Sequence, residues 1–298
     1  GNIGWGFGIS AVWIGIGNAL LGCLLAWIVL GPRTRLMTHH MDAETMPDFF
    51  QKRYDCRWMK IVTALIIFIF LVPYSASVYK GLGYLFEITF GIPGIYSLIG
   101  IAVLTGVYLL LGGYVATALN NLIQGIIMLA GGILMLVFVL GAPQVGGLGE
   151  GIRKLAAIPD AGKGLTSVFS AMPLSLLGLV VLTSFGAWGL PQMIHKFYTI
   201  RDKKAIKRGA IVSTVFALVI GGGAYLTGAF GRLFLDNTMP AGGPDTIMPA
   251  VLQTALPDAL LGLIIVLVLS ASMSTLSSLV LVSSSSIAMD LFKGVLFP

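Results

Sequence analysis

Residues 258–292 run DALLGLIIVLVLSASMSTLSSLVLVSSSSIAMDLF. At about 1.5 Å of rise per residue, a helix of this length more than spans the roughly 30 Å hydrocarbon core of a bilayer. Ten hydroxyl side chains interrupt an otherwise almost continuous run of Ala, Leu, Ile and Val: Ser270, Ser272, Ser274, Thr275, Ser277, Ser278 and Ser283 to Ser286. At membrane depth such neutral oxygens must face protein, water or an ion, and uncharged oxygens suit a small hard cation such as Na⁺. The same hydroxyls also bond back to helix carbonyls and pack helix against helix, which is their commoner use.

The rest of the chain shares the apolar character of that stretch. Hydrophobic residues make up 57% of the sequence and charged residues 10%, with a mean hydropathy of +0.95. This composition is that of an all-α integral membrane protein. Apolar windows place seven transmembrane helices at roughly 7–31, 59–82, 95–113, 117–141, 172–190, 208–232 and 259–290, within one membrane domain covering 1–298. The runs are long and continuous rather than short and alternating, which excludes barrel strands.

Basic residues set the orientation. Thirteen of the eighteen fall on one side: Arg33, Arg35, Lys52, Arg53, Arg57 and Lys60, then Lys196, Arg201, Lys203, Lys204, Lys207 and Arg208, then Lys293. The positive-inside rule makes segments 32–60 and 191–208 cytoplasmic, and the protein a multi-pass component of the cell membrane. The net charge of +6 thus reports topology, not nucleic-acid binding. Cys23 and Cys56 have no disulfide logic. His39, His40 and His195 lack metal-cage spacing and are expected as solvated interface residues.

Between the spans, Thr45 is placed to cap a short helix with Pro47 and Asp48 in its first turn. Gly112-Gly113 predicts a tight hairpin between the third and fourth spans. Asn120, Asn121 and Gln124 need partners at membrane depth, most commonly across helices. Small residues such as Gly4, Gly8, Gly15, Gly22 and Gly221 to Gly223 permit close helix approach. Gly186, Gly189 and Pro191 predict an interrupted helix, a feature that commonly lines substrate and ion sites.

Several segments together resemble the sodium:solute symporter family. They are Thr45-Met46-Pro47-Asp48-Phe49, Tyr74-Ser75-Ala76-Ser77 with Leu85-Phe86-Glu87, Gly112-Gly113-Tyr114-Val115-Ala116 through Gln124, Gly189-Leu190-Pro191-Gln192 through Phe197, and Ala271 through Ser277. The resemblance covers nearly the whole chain and is nearest the pantothenate and proline branches. It implies a partial LeuT-like inverted-repeat bundle made of core helices two to eight. The chain opens Gly1-Asn2 without Met and stops at Phe297-Pro298, so it is expected to be a fragment lacking the first and last two core helices.

The resemblance further implies sodium ligation by the Ala271 carbonyl and the Ser274 and Thr275 hydroxyls, the helix loosening locally to free the carbonyl. Positions 271, 274, 275 and 278 share one helical face. Tyr74, Thr183, Ala187 and Pro191 correspond to solute-cavity positions of proline-type members, and Thr183 and Ala187 stand where that branch has large aromatics. Asn121 occupies a position, acidic in many members, linked to gating or a second sodium site. A carboxamide there implies a single coupling ion.

The function implied is sodium-coupled secondary active uptake of a small organic solute of pantothenate, proline or organic-acid type, by alternating access. A membrane solute sensor on a symporter-like domain and a proton-coupled carrier are the alternatives. No Gly-x-Ser-x-Gly elbow, His-Glu-x-x-His pair or embedded acidic dyad supports an enzyme.

Overall fold

Lipid offers a backbone nothing to bond with except its own carbonyls, and the elements assigned among the described residues are all helical. The computed structural model describes residues 2–159, 162–198, 200 and 202–296. Gly1, Arg201 and Phe297-Pro298 lie outside the described residues, as do the side chains of Leu85 and of 112–117, which carry part of the family resemblance.

Helix α1 (Asn2–Met41) changes pitch at a 3-10 turn, Gly8–Ala11, and again at a π-helical stretch, Asn18–Leu25. Then come α2 (Met46–Tyr54), α3 (Arg57–Phe90), α4 (Gly94–Gly141), α5 (Leu148–Ala156) and α6 (Gly162–Thr166). Next are α7 (Pro173–Gly186), α8 (Pro191–Tyr198), α9 (Lys203–Phe234), α10 (Ile247–Ala255) and α11 (Asp258–Ser285), the last continuing as a π-helix over Ser286–Leu296. Six helical segments are long and apolar enough to cross a membrane, or seven when the bent pair α7 and α8 counts as one.

Local chemistry accounts for the helix ends. Thr45 accepts the Asp48 amide at 3.2 Å and caps α2, with Pro47 in its first turn. Asp202 accepts the Ala205 amide at 2.7 Å and caps α9. At Pro191 the missing N–H and the ring force Leu190 into an extended conformation, so the seventh and eighth helices meet at 47°.

The hairpin expected at Gly112–Gly113 does not form: the backbone is helical from Gly94 to Gly141. Glycine costs a helix about 1 kcal/mol but, unlike proline, keeps its N–H. In apolar surroundings retaining those hydrogen bonds outweighs that cost. The windows 95–113 and 117–141 are therefore successive stretches of one helix.

The principal core forms where α1, α4, α5, α9, α10 and α11 meet, with Trp5, Val139, Leu155, Phe230, Ile247, Val251 and Ile264 buried together. A second cluster joins α3 to α11 through Ile67, Leu71, Leu279 and Val282. Large apolar side chains such as Phe70, Leu110 and Leu174 face outward, as a lipid-contacting surface requires. Glycines bring α1 against α9: a Cβ on Gly15 would lie 2.7 Å from the Gly222 nitrogen.

The basic segments converge at one end of the bundle. Arg35 Nε donates to the Ile200 carbonyl at 2.7 Å, and Arg57 donates to the Val295 carbonyl at 2.6 Å. Between them sits a buried charge cluster. Thr45 Oγ1 donates to Asp290 Oδ1 at 2.6 Å, Lys60 Nζ lies 3.2 Å from Asp48 and 3.7 Å from Asp290, and Lys52 pairs with Asp48 at 2.9 Å. The cluster fastens the end of the Ser-rich helix to α2 and α3. Burial alone would raise the Asp48 carboxyl, but hydrogen bonds from Lys52 and Lys60 override it and hold it below the usual carboxylate value.

This packing can be tested in two ways. Gly15→Val lowers the thermal midpoint of the detergent-purified protein by an amount matching overpacking of about 1–3 kcal/mol, whereas Gly6→Ala, which meets open space, leaves it unchanged. Equal midpoints would refute the close approach. Because Asp48 titrates lower folded than unfolded, where its pKa is about 3.9, its stabilisation is complete above that value and lost as pH falls through the folded one. Asp48→Asn therefore flattens the fall in thermal midpoint between about pH 5 and pH 3; an unaltered slope would remove the ion pair from the account.

Candidate functional site

In the Ser-rich helix the hydroxyls do two things at once. Thr275 Oγ1 donates to the Ala271 carbonyl at 3.0 Å, and the Ser277 and Ser278 hydroxyls each donate to the Ser274 carbonyl at 3.0 Å. Their protons are thus spent on the helix's own backbone, and their lone pairs remain for something else. The α-helix runs unbroken through these positions, so the local loosening expected at Ala271 does not occur. Its carbonyl accepts the Thr275 hydroxyl instead.

A cavity of about 390 Å³ opens on this face. Ala271, Ser274, Thr275 and Ser278 form one wall, one turn apart as the helical period dictates. Opposite them α4 contributes Asn121, with Ala118, Gly125 and Met128 on the same side. The third wall is α8, which the Pro191 break turns so that Gln192, His195 and Lys196 face the cavity, and Phe216 of α9 closes part of the floor. Among the described residues, no carboxylate lines it.

The structure therefore brings Asn121 together with Ala271, Ser274 and Thr275. Asn121 Oδ1 and Gln192 Oε1 are shut away from solvent without a hydrogen-bond partner, and Gln124 Oε1, one turn from Asn121, is in the same condition. The cross-helix bonds expected of Asn121 and Gln124 are not made through these oxygens. A buried acceptor left so costs about 1–3 kcal/mol, and the cost recurs at two residues on different walls of one cavity.

The four solute positions lie elsewhere. Tyr74 is exposed on α3. Thr183 bonds back to the Leu179 carbonyl at 2.7 Å, Ala187 sits in the 3-10 turn after α7, and Pro191 opens α8. None of the four lines the cavity.

His195 corrects the expectation of a solvated interface residue: it is half-buried in the cavity wall, its ring centroid 5.9 Å from that of Tyr198. Sequence reasoning does not single out Gln192 and His195 as cavity residues, although an i, i+3 polar pair directly after a proline break is a readable signal. His39 and His40 are exposed, and no group of His, Cys, Asp and Glu that could hold a metal occurs among the described residues.

The helical arrangement has a counterpart among known proteins. A substrate-bound, outward-open Na⁺-coupled sialic acid symporter superposes with a TM-score of 0.62 over 98% of this chain and 67% of its own, at 18% identity, so the fold is shared. That match supports the LeuT-like bundle expected from the sequence. Among curated proteins, a sodium/proline symporter of Staphylococcus aureus (strain bovine RF122 / ET3-1) is 31% identical over 295 residues, 97% of this chain and 56% of its own length. A second S. aureus sodium/proline symporter is 31% identical over 292 residues, covering 96% and 55%. The chain spans about half the length of the curated relatives it matches. The family model described as "Sodium:solute symporter family" matches residues 2–297. A match over nearly every residue, joined to the shared fold, shows that the chain belongs to the sodium:solute symporter family.

Proposed function

We propose that this chain carries the cation-binding part of a sodium-coupled transporter that takes up a small organic solute by alternating access. The observation that carries the proposal is the wall of Ala271, Ser274 and Thr275, where the Ser274 and Thr275 hydroxyls stand beside the Ala271 carbonyl on a cavity without carboxylates among the described residues. Neutral oxygens at membrane depth suit Na⁺. The sodium/proline symporters among its relatives make proline the first solute to test, with pantothenate and organic acids next. Tyr74, Thr183, Ala187 and Pro191 are the solute-site candidates.

The membrane orientation belongs to the same reading. Arg35 bonded to Ile200, and Arg57 bonded to Val295, draw the segments 32–60 and 191–208 and the end of α11 to one face of the bundle. By the positive-inside rule that face is cytoplasmic, in the cell membrane. Inward Na⁺ movement would then draw on the membrane potential, worth about 2.3 kcal/mol per charge per 100 mV.

The decisive measurement is solute uptake into proteoliposomes by the full-length protein as Na⁺ is varied. Ser274→Ala and Thr275→Ala each raise the half-saturating Na⁺ concentration by about 10- to 100-fold, the 1.5–3 kcal/mol of an oxygen bonded to a charged group. Ser284→Ala, exposed on the same helix, leaves it unchanged. Unaltered sodium dependence in both variants would sink the site. With Asn121 in place of an acid, the sodium-to-solute stoichiometry is one, read from the reversal potential of uptake; a value of two would defeat the single-ion assignment.

A further inference from the structure

Gln192 lines this cavity, and the family resemblance supplies no role for it. It is the second residue of α8, just beyond the break at Pro191, and it is 9% exposed. The 47° bend between α7 and α8 brings it to the cavity wall across from Ser274 and Thr275. Its Oε1 is enclosed by protein and has no hydrogen-bond partner. A flexible, unbranched side chain in that position is free to rotate its oxygen toward solvent or a backbone amide, unless something in the cavity rewards the enclosed arrangement.

The chemistry of the remaining wall says what that something is. Thr275 and Ser278 have committed their hydroxyl protons to backbone carbonyls and offer lone pairs only. Asn121 adds a second enclosed carboxamide oxygen without a donor. Unspent oxygen lone pairs thus belong to residues on three sides of one space, a set that a bare monovalent cation satisfies. His195 and Lys196 lie on the same helix as Gln192 and also line the cavity, so positive charge stands on the α8 side. A cation is therefore held toward α4 and α11, with α8 contributing a neutral oxygen rather than a charge.

We propose that Gln192 supplies an oxygen ligand to the Na⁺ bound at Ser274 and Thr275, so that ion binding ties the broken span to the Ser-rich helix. The assignment rests on the sodium-site reading above. It makes α8 a part that moves with occupancy: filled, the site draws α8 toward α11; empty, the Gln192 oxygen has no partner and the helix is released. Trp27 reports on this, since its ring meets Phe197 of α8 edge-on at 5.1 Å.

The test uses the purified full-length protein with Na⁺ alone, read by ²²Na⁺ binding and by Na⁺-dependent tryptophan fluorescence, beside uptake. Gln192→Met keeps the length of the side chain and removes the oxygen. It weakens Na⁺ binding at least tenfold and shifts the fluorescence response to the same higher Na⁺ concentration. Gln192→Glu keeps an oxygen, adds a charge and binds Na⁺ more tightly than Gln192→Met.

Sodium affinity within twofold of the parent in Gln192→Met, when Ser274→Ala weakens it, would overturn the role of Gln192 and leave the hydroxyl site standing. Unchanged affinity in both would overturn the hydroxyl site and this inference with it. Should Gln192→Met fail to fold, Gln192→Glu decides: a charge placed in the first shell of a cation alters its affinity, and an unaltered value refutes the ligation.

Discussion

In hydrocarbon a polar atom has no water to fall back on, and that constraint shapes this bundle at every scale. It makes the backbone helical, since only local hydrogen bonds are on offer. It sends the Thr275, Ser277 and Ser278 hydroxyl protons onto carbonyls of their own helix. It gathers the charges that the chain must bury, Lys60 with Asp48 and Asp290, into one neutralised cluster at the end of the bundle. Where the constraint is not met, two of the exceptions, the carboxamide oxygens of Asn121 and Gln192, belong to residues lining the same cavity.

Whatever depends on a few adjacent residues is legible in the sequence alone. Thr45 with Pro47 and Asp48 is a cap written in four positions, and the structure closes it with a 3.2 Å bond. Gly186, Gly189 and Pro191 signal a break because proline constrains both itself and its predecessor. The face bearing Ala271, Ser274, Thr275 and Ser278 follows from a period of 3.6 alone. Apolar windows locate membrane helices for the same reason: length and hydropathy are local sums.

Features that escape such a reading need two helices at once. Gly112-Gly113 looks like a turn in isolation, but glycine permits a turn without requiring one, and the backbone keeps its helical bonds. The polar wall of α8 is visible only when the bend angle is known, because a helix after a break can present its residues to any neighbour. The same holds for Asp290, which lies 245 residues from Thr45 in sequence and 2.6 Å from it in space. Neither residue alone announces the other. The expectation of solvated histidines fails at His195 and not at His39 or His40, since the first follows the break and the others end α1 at the exposed basic face.

The two polar features of the bundle are mechanically connected. The Ser-rich helix runs from the cavity at Ser274 to the charge cluster at Asp290 without leaving helical geometry, passing from α to π at Ser286. Helix α8 runs alongside, with Gln192 at the cavity and Tyr198 at its far end, and it packs against both α11 and α2. Tyr198 Oη and Asp290 Oδ2 are themselves enclosed without partners, so this junction, like the cavity, carries unspent hydrogen-bonding capacity.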